Sequence, residues 1–170
     1  MKPIFLVGLM GAGKTTVGRM LAKRIKARFV DADHEIESRT GVPIPTIFEI
    51  EGEDGFRKRE TQVIDDLSAE SGLVLATGGG AVLDPLNRKN LHERGRVIYL
   101  YAQPEILFER TRMDRGRPLL QVEDRLTKLQ ELFAIRDPLY RETAHVVVEV
   151  GQTQASQVVR RILQVLDAES

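Results

Sequence analysis

The clearest chemical pattern in the chain is the segment GLMGAGKT at residues 8–15, which matches G-x-x-x-x-G-K-[ST] in full. The segment follows an apolar run and precedes an amphipathic stretch, so the pattern and its context agree. Glycines at these spacings let successive backbone N–H groups face inward, and the helix that follows adds its positive end. The segment is therefore predicted to bind the phosphates of a nucleotide, with Lys14 at the β- and γ-phosphates and the Thr15 hydroxyl on Mg²⁺.

The rest of the sequence excludes two classes of nucleotide-binding protein. A regulatory GTPase would need D-x-x-G and N-K-x-D, and neither tetrapeptide occurs in the chain. Protein kinases do not use this loop. Two interpretations are left: an ATP-dependent phosphotransferase that acts on a small acceptor, or an ATPase with a mechanical or regulatory output. A chain of 170 residues has little room for a separate effector domain.

Two carboxylates follow the second apolar run, as Asp31-Ala32-Asp33. In open α/β sheets, ligands bind at the carboxyl ends of the strands. Phosphoryl transfer needs one group to hold Mg²⁺ or its water shell, and a carboxylate to orient the attacking hydroxyl and accept its proton. If the strand continues to Asp33, both side chains share a face; if a turn begins at Ala32, one can face the metal and the other the acceptor. Spacing equally allows Asp33 to be only the N-cap of a helix at residues 34–39.

A third candidate segment, Thr77-Gly78-Gly79-Gly80, follows the third apolar run. Consecutive glycines let backbone N–H groups approach a ligand closely, although a flexible turn is the alternative. In a sheet whose first loop binds phosphate, the loop after the third strand lies beside it, which favours a ligand contact. Arg57 and Arg136 complete the set of candidates, but a single arginine on a helix is usually a solvated surface residue.

The elements that must position these residues alternate along the chain. Short apolar runs occur at residues 4–7, 29–30, 73–76, 97–101 and 146–148, and they are continuous, as in strands that are buried on both faces of a parallel sheet. Apolar residues at helical spacing occur between and after these runs, at residues 17–25, 64–67, 126–133 and 158–166. Strands that alternate with helices predict an α/β fold, with a parallel sheet covered on both sides.

Composition limits the class of protein further. The chain has 25 basic and 25 acidic residues, so nothing in its net charge favours nucleic acid or an anionic membrane as a partner. It has no cysteine, which excludes disulfides and cysteine-based zinc sites. The apolar run near the N-terminus is too short and too rich in glycine for a secretory signal, and no other run could span a membrane. We therefore expect a soluble, intracellular, single-domain protein.

Two stretches interrupt the alternation. Residues 41–55 contain two prolines and three glycines, which suggests short helices in an insertion on the substrate side. Residues 110–118 contain four arginines, two of them on either side of Gly116, and this segment is expected to be a mobile loop.

Taken together, the motifs resemble those of the shikimate kinases over essentially the whole chain. The matching segments, in the order and at the spacings of that family, are GLMGAGKT at 8–15, DAD at 31–33, IF at 47–48, GEDGFRKRE at 52–60, TGGGAVL at 77–83, RGRPLL at 115–120 and RDPLYRETA at 136–144. The first motif alone is generic, but the combination is highly specific. The resemblance implies a three-layer P-loop NTPase fold with a central five-stranded parallel sheet, a substrate-binding insertion and a mobile lid.

The resemblance also implies an activity, namely transfer of the γ-phosphoryl group of ATP to the 3-hydroxyl of shikimate, in the pathway to chorismate and the aromatic amino acids. Its catalytic residues here would be Asp33, which activates the acceptor hydroxyl, with Lys14 and the lid arginine Arg117. The acceptor would be bound by Asp33, Arg57, Gly79, Gly80 and Arg136, in a pocket supported by Phe48, Phe56 and Glu60. ATP would be bound by Gly11, Ala12, Gly13, Lys14, Thr15, Thr16, Arg110 and Arg117, and Mg²⁺ by Thr15 and Asp31.

Further expectations follow from the same resemblance. The chain would be a single kinase domain over residues 1–170, with a substrate-binding region at about 31–60 and a lid at about 110–122. It would act as a cytoplasmic monomer on ATP and shikimate, without nucleic acid or membrane. Arg110 would stack on the adenine, a second adenine contact falls near residues 154–156, and either Arg115 or Arg117 would reach the phosphates. The alternatives are another small-molecule kinase, such as a gluconate kinase, or a non-catalytic nucleotide-binding module.

Overall fold

The computed structural model describes residues 1–111 and 124–168. Its centre is one parallel sheet of five strands in the order β2-β3-β1-β4-β5. The strands are β1 (Ile4–Val7), β2 (Arg28–Asp31), β3 (Leu73–Ala76), β4 (Arg96–Tyr101) and β5 (Val146–Glu149). Each coincides with one of the apolar runs, so the predicted parallel α/β fold is confirmed.

Seven helices connect and cover the strands in the described part of the chain. They are α1 (Lys14–Ile25), α2 (Ala32–Thr40), α3 (Ile44–Ser68), α4 (Pro85–Arg94), α5 (Pro104–Thr111), α6 (Arg125–Thr143) and α7 (Ala155–Ala168), with a short 3₁₀ turn at Ala81–Leu83. Helices α1 and α7 contact each other, and so do α4 and α6, while α1 also packs on β3 and α6 on β4. The result is a three-layer arrangement with the sheet in the middle.

The central strands β1 and β3 are buried along their whole length and β4 is buried except at its two ends, but the edge strands are more exposed. Every residue of β1 and β3 is buried, whereas β2 and β5 have exposed or half-buried positions. The expectation that all five runs are buried on both faces is therefore wrong for β2 and β5. These two strands lie at the edges of the sheet, where a neighbouring strand and part of the helical cover are missing on one side.

The sheet brings the loops with candidate residues to one end. Because all five strands are parallel, their carboxyl ends meet at the same edge, where ligands bind in open α/β sheets. Strand β1 pairs with β3, and β3 pairs with β2. The loops that follow these three strands are residues 8–13, the start of α2 and residues 77–80, so the predicted candidates are neighbours in space.

The two irregular stretches are only partly as expected. Helix α3 begins within the first of them, and its one non-helical residue, Gly52, separates a short segment from a long one. The predicted loop from residue 110 is wrong at its start, because Arg110 and Thr111 form the last turn of α5 and the Thr111 hydroxyl donates to the Leu107 carbonyl oxygen at 2.8 Å. The remainder of that loop, residues 112–118, lies outside the described residues.

Within residues 1–111 and 124–168, no helix combines the length and the apolar character that crossing a membrane requires.

Candidate active site

The loop after β1 is wound around the side chain of Lys14. Gly13 has a φ of 94° at the start of α1, in the left-handed region that favours glycine. The Lys14 ammonium donates to the carbonyl oxygens of Gly8 at 2.6 Å and Leu9 at 3.0 Å. With backbone N–H groups and the positive end of α1 on the same side, this loop can hold an anion.

The Thr15 hydroxyl and the Asp31 carboxylate meet across this loop. Thr15 donates to Asp31 Oδ2 at 2.7 Å, and Asp31 Oδ1 accepts the backbone N–H of His34 at 3.1 Å. Asp31 is thus the N-cap of α2, and Asp33 lies within the first turn of that helix. The alternative in which Asp33 is the cap of a helix at residues 34–39 is therefore wrong, because α2 begins at Ala32, two residues earlier than that alternative requires.

Asp33 diverges from Asp31 and points toward the glycine loop after β3. Its Oδ1 atom lies 2.9 Å from the position that a Cβ on Gly78 would occupy. Burial, and then the neighbouring charge of Asp31, raises the pKa of Asp33 to about 6, while the positive charges of Lys14 and Arg57 oppose the shift. The charges of both the phosphate-loop lysine and an arginine on α3 therefore act on Asp33.

Arg57 is held against the glycine loop by a buried carboxyl group. Its Nη1 donates to Glu60 Oε1 at 2.9 Å, and the Glu60 side chain is only 1% exposed. A Cβ on Gly80 would overlap the Arg57 guanidinium, so a larger residue here would displace that group from the loop. Burial raises the pKa of Glu60 to about 7, against the opposing effect of Arg57. Glu60 and Arg57 therefore form an ion pair beside the glycine loop.

Arg136 reaches the same loop from α6 and is 4% exposed. Its Nη1 atom lies 3.4 Å from the Cβ position of Gly79, and it has no hydrogen-bond partner among the described residues. A buried guanidinium nitrogen without a partner carries a desolvation penalty that an anionic ligand would relieve. The view of Arg136 as a solvated surface residue is therefore wrong.

Two aromatic rings form an apolar wall beside these charges. The rings of Phe48 and Phe56 lie 4.9 Å apart, one on each side of the break at Gly52. The Arg57 guanidinium lies 5.2 Å from the centre of the Phe56 ring. A ligand in this position would meet apolar surface on one side and charged or polar groups on the other.

All of these groups line one cavity of about 700 Å³. The sequence-predicted residues on its wall are Gly11, Gly13, Lys14, Thr15, Thr16, Asp31, Asp33, Phe48, Phe56, Arg57, Glu60, Gly79, Gly80, Arg110 and Arg136. Met10, Thr77 and Gly78 also line it, and they belong to the predicted segments at residues 8–15 and 77–80. Glu37, Ile44, Pro45 and Thr111 line it and were not predicted, because nothing in their local sequence sets them apart from other residues of the same types. Arg115 and Arg117 lie outside the described residues.

A second cavity, of about 240 Å³, adjoins the far side of the phosphate loop. Ala12, Gly13, Thr16 and Arg110 line it together with Val150, Thr153, Ala155 and Val158. Arg110 crosses its mouth, donating to the carbonyl oxygens of Gly151 at 2.6 Å and Gly11 at 3.3 Å. Residues 154–156, where the resemblance implies a second adenine contact, lie at the start of α7 and in the turn before it.

Comparison with known proteins agrees with this geometry. A family model described as shikimate kinase matches residues 10–167. A shikimate kinase of Dechloromonas aromatica is 64% identical over 160 residues, which are 94% of this chain and 87% of that protein. One of Ralstonia nicotianae is 60% identical over 164 residues, 96% of this chain and 86% of that protein. The solved structure of the Acinetobacter baumannii shikimate kinase in complex with shikimate is 52% identical, with a TM-score of 0.97 over 100% of this chain and 95% of that one.

A gluconokinase of Sinorhizobium meliloti also has a similar structure, with a TM-score of 0.58 and 21% identity over 99% of this chain and 97% of that one. That likeness concerns the fold alone. The family model and the relatives at 57–64% identity all point to one family. The chain therefore belongs to the shikimate kinase family and is an ATP-dependent phosphotransferase.

Proposed function

We propose that this chain transfers the γ-phosphoryl group of ATP to the 3-hydroxyl of shikimate, giving shikimate 3-phosphate and ADP. The observation that carries the proposal is the order of groups along one cavity. The phosphate loop with Lys14 is at one end, two arginines and the glycine loop are at the other, and Asp33 lies between them. A donor phosphate and a small anionic acceptor can therefore meet beside a carboxylate.

ATP binds with its phosphates in the loop at residues 8–15 and its base in the second cavity. On binding, the Lys14 ammonium exchanges its carbonyl partners for the β- and γ-phosphate oxygens. Arg110, at the boundary of the two cavities, covers one face of the adenine by stacking. Gly11, Ala12, Gly13 and Thr16 complete the contacts with the nucleotide.

The residues at this end fit one magnesium ion. Thr15 and Asp31 place a hydroxyl and a carboxylate oxygen 2.7 Å apart at the phosphate loop, and both are hard oxygen donors of the kind Mg²⁺ uses. The described residues contain no group of three or more His, Cys, Asp or Glu side chains that could hold a metal ion. A site of one or two protein oxygens completed by phosphates and water is typical of Mg²⁺ in kinases. Bound there, Mg²⁺ would neutralise charge on the phosphates.

Shikimate binds at the other end through its carboxylate and ring hydroxyls. Arg57 and Arg136 supply guanidinium groups for the carboxylate, and the amides of Gly79 and Gly80 approach the ring substituents without interfering side chains. Phe48 and Phe56 cover the apolar ring face. The solved complex of the Acinetobacter baumannii relative contains shikimate, which supports this choice of acceptor.

Asp33 orients the 3-hydroxyl for in-line attack. The hydroxyl oxygen forms a bond to the γ-phosphorus as the bond from that phosphorus to the β–γ bridging oxygen breaks, and ADP leaves. The proton of the hydroxyl passes to the carboxylate of Asp33. Arg117 is proposed to stabilise the charge that develops on the transferred group, and residues 110–122 to cover the site, with Arg115 as the other candidate for the same role.

We further propose that the chain works as a monomer in the cytoplasm and forms one kinase domain with its substrate-binding region at about residues 31–60. The position of phosphorylation tests the reaction directly. We expect ³¹P and ¹H NMR of the product to show one phosphate ester, on the 3-hydroxyl of shikimate. An ester on another hydroxyl, or inorganic phosphate alone, would contradict the proposal.

A further inference from the structure

Tyr140 is a buried residue that contacts the acceptor end of the cavity and has no role in the chemistry described above. It lies on α6, one turn after Arg136, and its side chain is 0% exposed. Its hydroxyl donates to the carbonyl oxygen of Gly79 at 2.5 Å, across 61 residues of sequence. The bond thus connects α6 directly to the glycine loop after β3.

Because the peptide unit is planar, this contact also sets the direction of the N–H group at the other end of the same peptide. No peptide bond in the described chain is cis, so the carbonyl of Gly79 and the N–H of Gly80 point in opposite directions across one planar unit. Tyr140 is inside the core, whereas Gly79 and Gly80 line the cavity. A hydroxyl that holds the carbonyl inward therefore directs the Gly80 amide toward the ligand.

The loop needs such an anchor because of its composition. Three consecutive glycines have wide freedom in φ and ψ, so without an anchor their N–H groups would not keep one direction. The carbonyl oxygens of Gly78 and Gly80 are each held locally, by the N–H groups of Ala81 and Leu83 at 3.1 Å. The carbonyl oxygen of Gly79 is held from outside the loop, by Tyr140.

The tyrosine is itself fixed, and it also neighbours the second arginine. Its ring lies 4.9 Å from that of Tyr99, whose hydroxyl donates to Asp137 Oδ1 at 2.8 Å. Burial raises the pKa of Tyr140, so the hydroxyl keeps its proton and stays a donor; the nearby guanidinium of Arg136 opposes that shift through its charge and its hydrogen bonding. Tyr140 is thus placed between Arg136 and the loop that Arg136 approaches.

We propose that Tyr140 is a positioning residue for the acceptor site: its hydroxyl fixes the peptide between Gly79 and Gly80, so that the Gly80 amide and the Arg136 guanidinium face the same anionic acceptor. The proposal rests on the proposed function for the identity of that acceptor. The residue touches neither substrate, and it acts through the loop and the arginine beside it.

The kinetic test compares Tyr140→Phe with Tyr99→Phe in the full-length protein. Both changes remove one buried hydroxyl and keep the ring, so both are expected to lower the Tm. Tyr140→Phe should raise the KM for shikimate about ten-fold, with kcat and the KM for ATP within about two-fold of wild type, because it weakens an interaction made alike in ground and transition states. Tyr99→Phe should leave the KM for shikimate within about two-fold.

A second measurement on the ligand-free protein does not depend on the acceptor. The ¹⁵N order parameter of the Gly80 amide should fall in Tyr140→Phe and not in Tyr99→Phe. An unchanged order parameter, or equal changes of KM in the two variants, or an equal rise of KM for ATP and shikimate, would overturn the proposal. Wild-type protein without shikimate-dependent turnover would contradict the proposed function instead, and the order parameter would still decide whether Tyr140 holds the loop.

Discussion

Two carboxyl groups, those of Asp33 and Glu60, approach the same glycine and have different surroundings. Glu60 Oε2 and Asp33 Oδ1 lie 2.8 Å and 2.9 Å from the Cβ position of Gly78. The other oxygen of Glu60 accepts from Arg57, so this carboxyl is committed to holding an arginine. Burial raises the pKa of Asp33, and the charges of both Lys14, at one end of the cavity, and Arg57, at the other, oppose that rise. We therefore assign the reacting hydroxyl to Asp33 and a supporting role to Glu60.

Replacement of Asp33 by Asn tests that assignment. Asn keeps the size of the side chain but cannot accept a proton, so we expect kcat to fall by about two orders of magnitude or more. Binding of Mg-ATP should be nearly intact, because the phosphate loop and Asp31 are unchanged. Asp66→Asn is a suitable control, because Asp66 pairs with Arg39 on the surface. Steady-state kinetics and calorimetric titration with Mg-ATP would measure both effects, and undiminished turnover in Asp33→Asn would refute the role of this carboxylate.

The buried position of Glu60 predicts a specific pH dependence of stability. Its pKa rises from an ordinary 4.5 to about 7 in the folded chain because burial outweighs Arg57 on α3 and Arg136 on α6, with the charge of Asp33 on α2 adding to the rise. Between these values the folded state binds more protons than the unfolded state, so the contribution of Glu60 to the free energy of unfolding falls as pH rises from about 4.5 to about 7. Above pH 7 the contribution is constant.

Glu60→Gln removes this titration. Relative to wild type, we expect the free energy of unfolding of the variant to increase by roughly 1–3 kcal/mol between pH 5 and pH 8, as measured by urea denaturation. Glu53→Gln is the matched control, because Glu53 contacts the same Arg57 from a side chain that is 57% exposed. A difference between wild type and Glu60→Gln that stays constant with pH would show that burial does not hold the proton on Glu60.

Among the elements, α3 contributes most to the acceptor end, and its shape depends on one residue. Gly52 has a φ of 74° and a ψ of −178°, a conformation that is essentially restricted to glycine. It separates the segment with Phe48 from the segment with Phe56, Arg57 and Glu60. Nothing lies within 4 Å of its Cβ position, so the backbone and not a clash excludes other residues.

Gly52→Ala should therefore act through backbone strain. We expect a loss of about 1–3 kcal/mol in the free energy of unfolding, and a higher KM for shikimate because the angle between the two segments changes. Glu49→Ala, at an exposed position of the first segment, should change the stability by less than about 0.5 kcal/mol. Equal, small effects of the two substitutions on urea denaturation would mean that the helix tolerates the break without glycine.

The elements were predictable where local pattern and burial agree. Continuous apolar runs identified all five strands, because central parallel strands are covered on both faces. The same apolar pattern does not show whether a strand lies at the centre or at the edge of the sheet. The partial exposure of the edge strands β2 and β5 was therefore missed. The helical start of the arginine-rich stretch was also missed, since Arg110 is held by the distant carbonyl oxygen of Gly151, which no local pattern reveals.

The candidate site was predictable to a similar extent. Residues such as Lys14, Asp33 and Arg57 have reactive or charged side chains and lie in motifs that can be recognised in the sequence. Tyr140 lies within a matching motif, yet its contact with Gly79 depends on the packing of α6 against the loop after β3. Contacts of this kind follow from the fold, so they could be found only with the structure.

For the molecule as a whole, the sheet explains why residues from distant parts of the sequence act together. Five parallel strands deliver the phosphate loop, the aspartates and the glycine loop to one edge, and α3 and α6 bring the arginines to the same cavity. The charges of the chain balance overall, with 25 basic and 25 acidic residues. Under the proposed function, selectivity for an anionic acceptor would come from the local placement of Arg57 and Arg136, and a general attraction would not be required.

The measurement that tests this account most directly is ADP release in a coupled assay with Mg-ATP, in parallel reactions with shikimate, gluconate, quinate and no acceptor. We predict ADP formation with shikimate alone, because the relatives at 57–64% identity are shikimate kinases and a solved relative holds shikimate. ADP release without an acceptor, or with gluconate only, would contradict the account: the phosphate loop would keep its role, and the assignment of the acceptor end would be wrong.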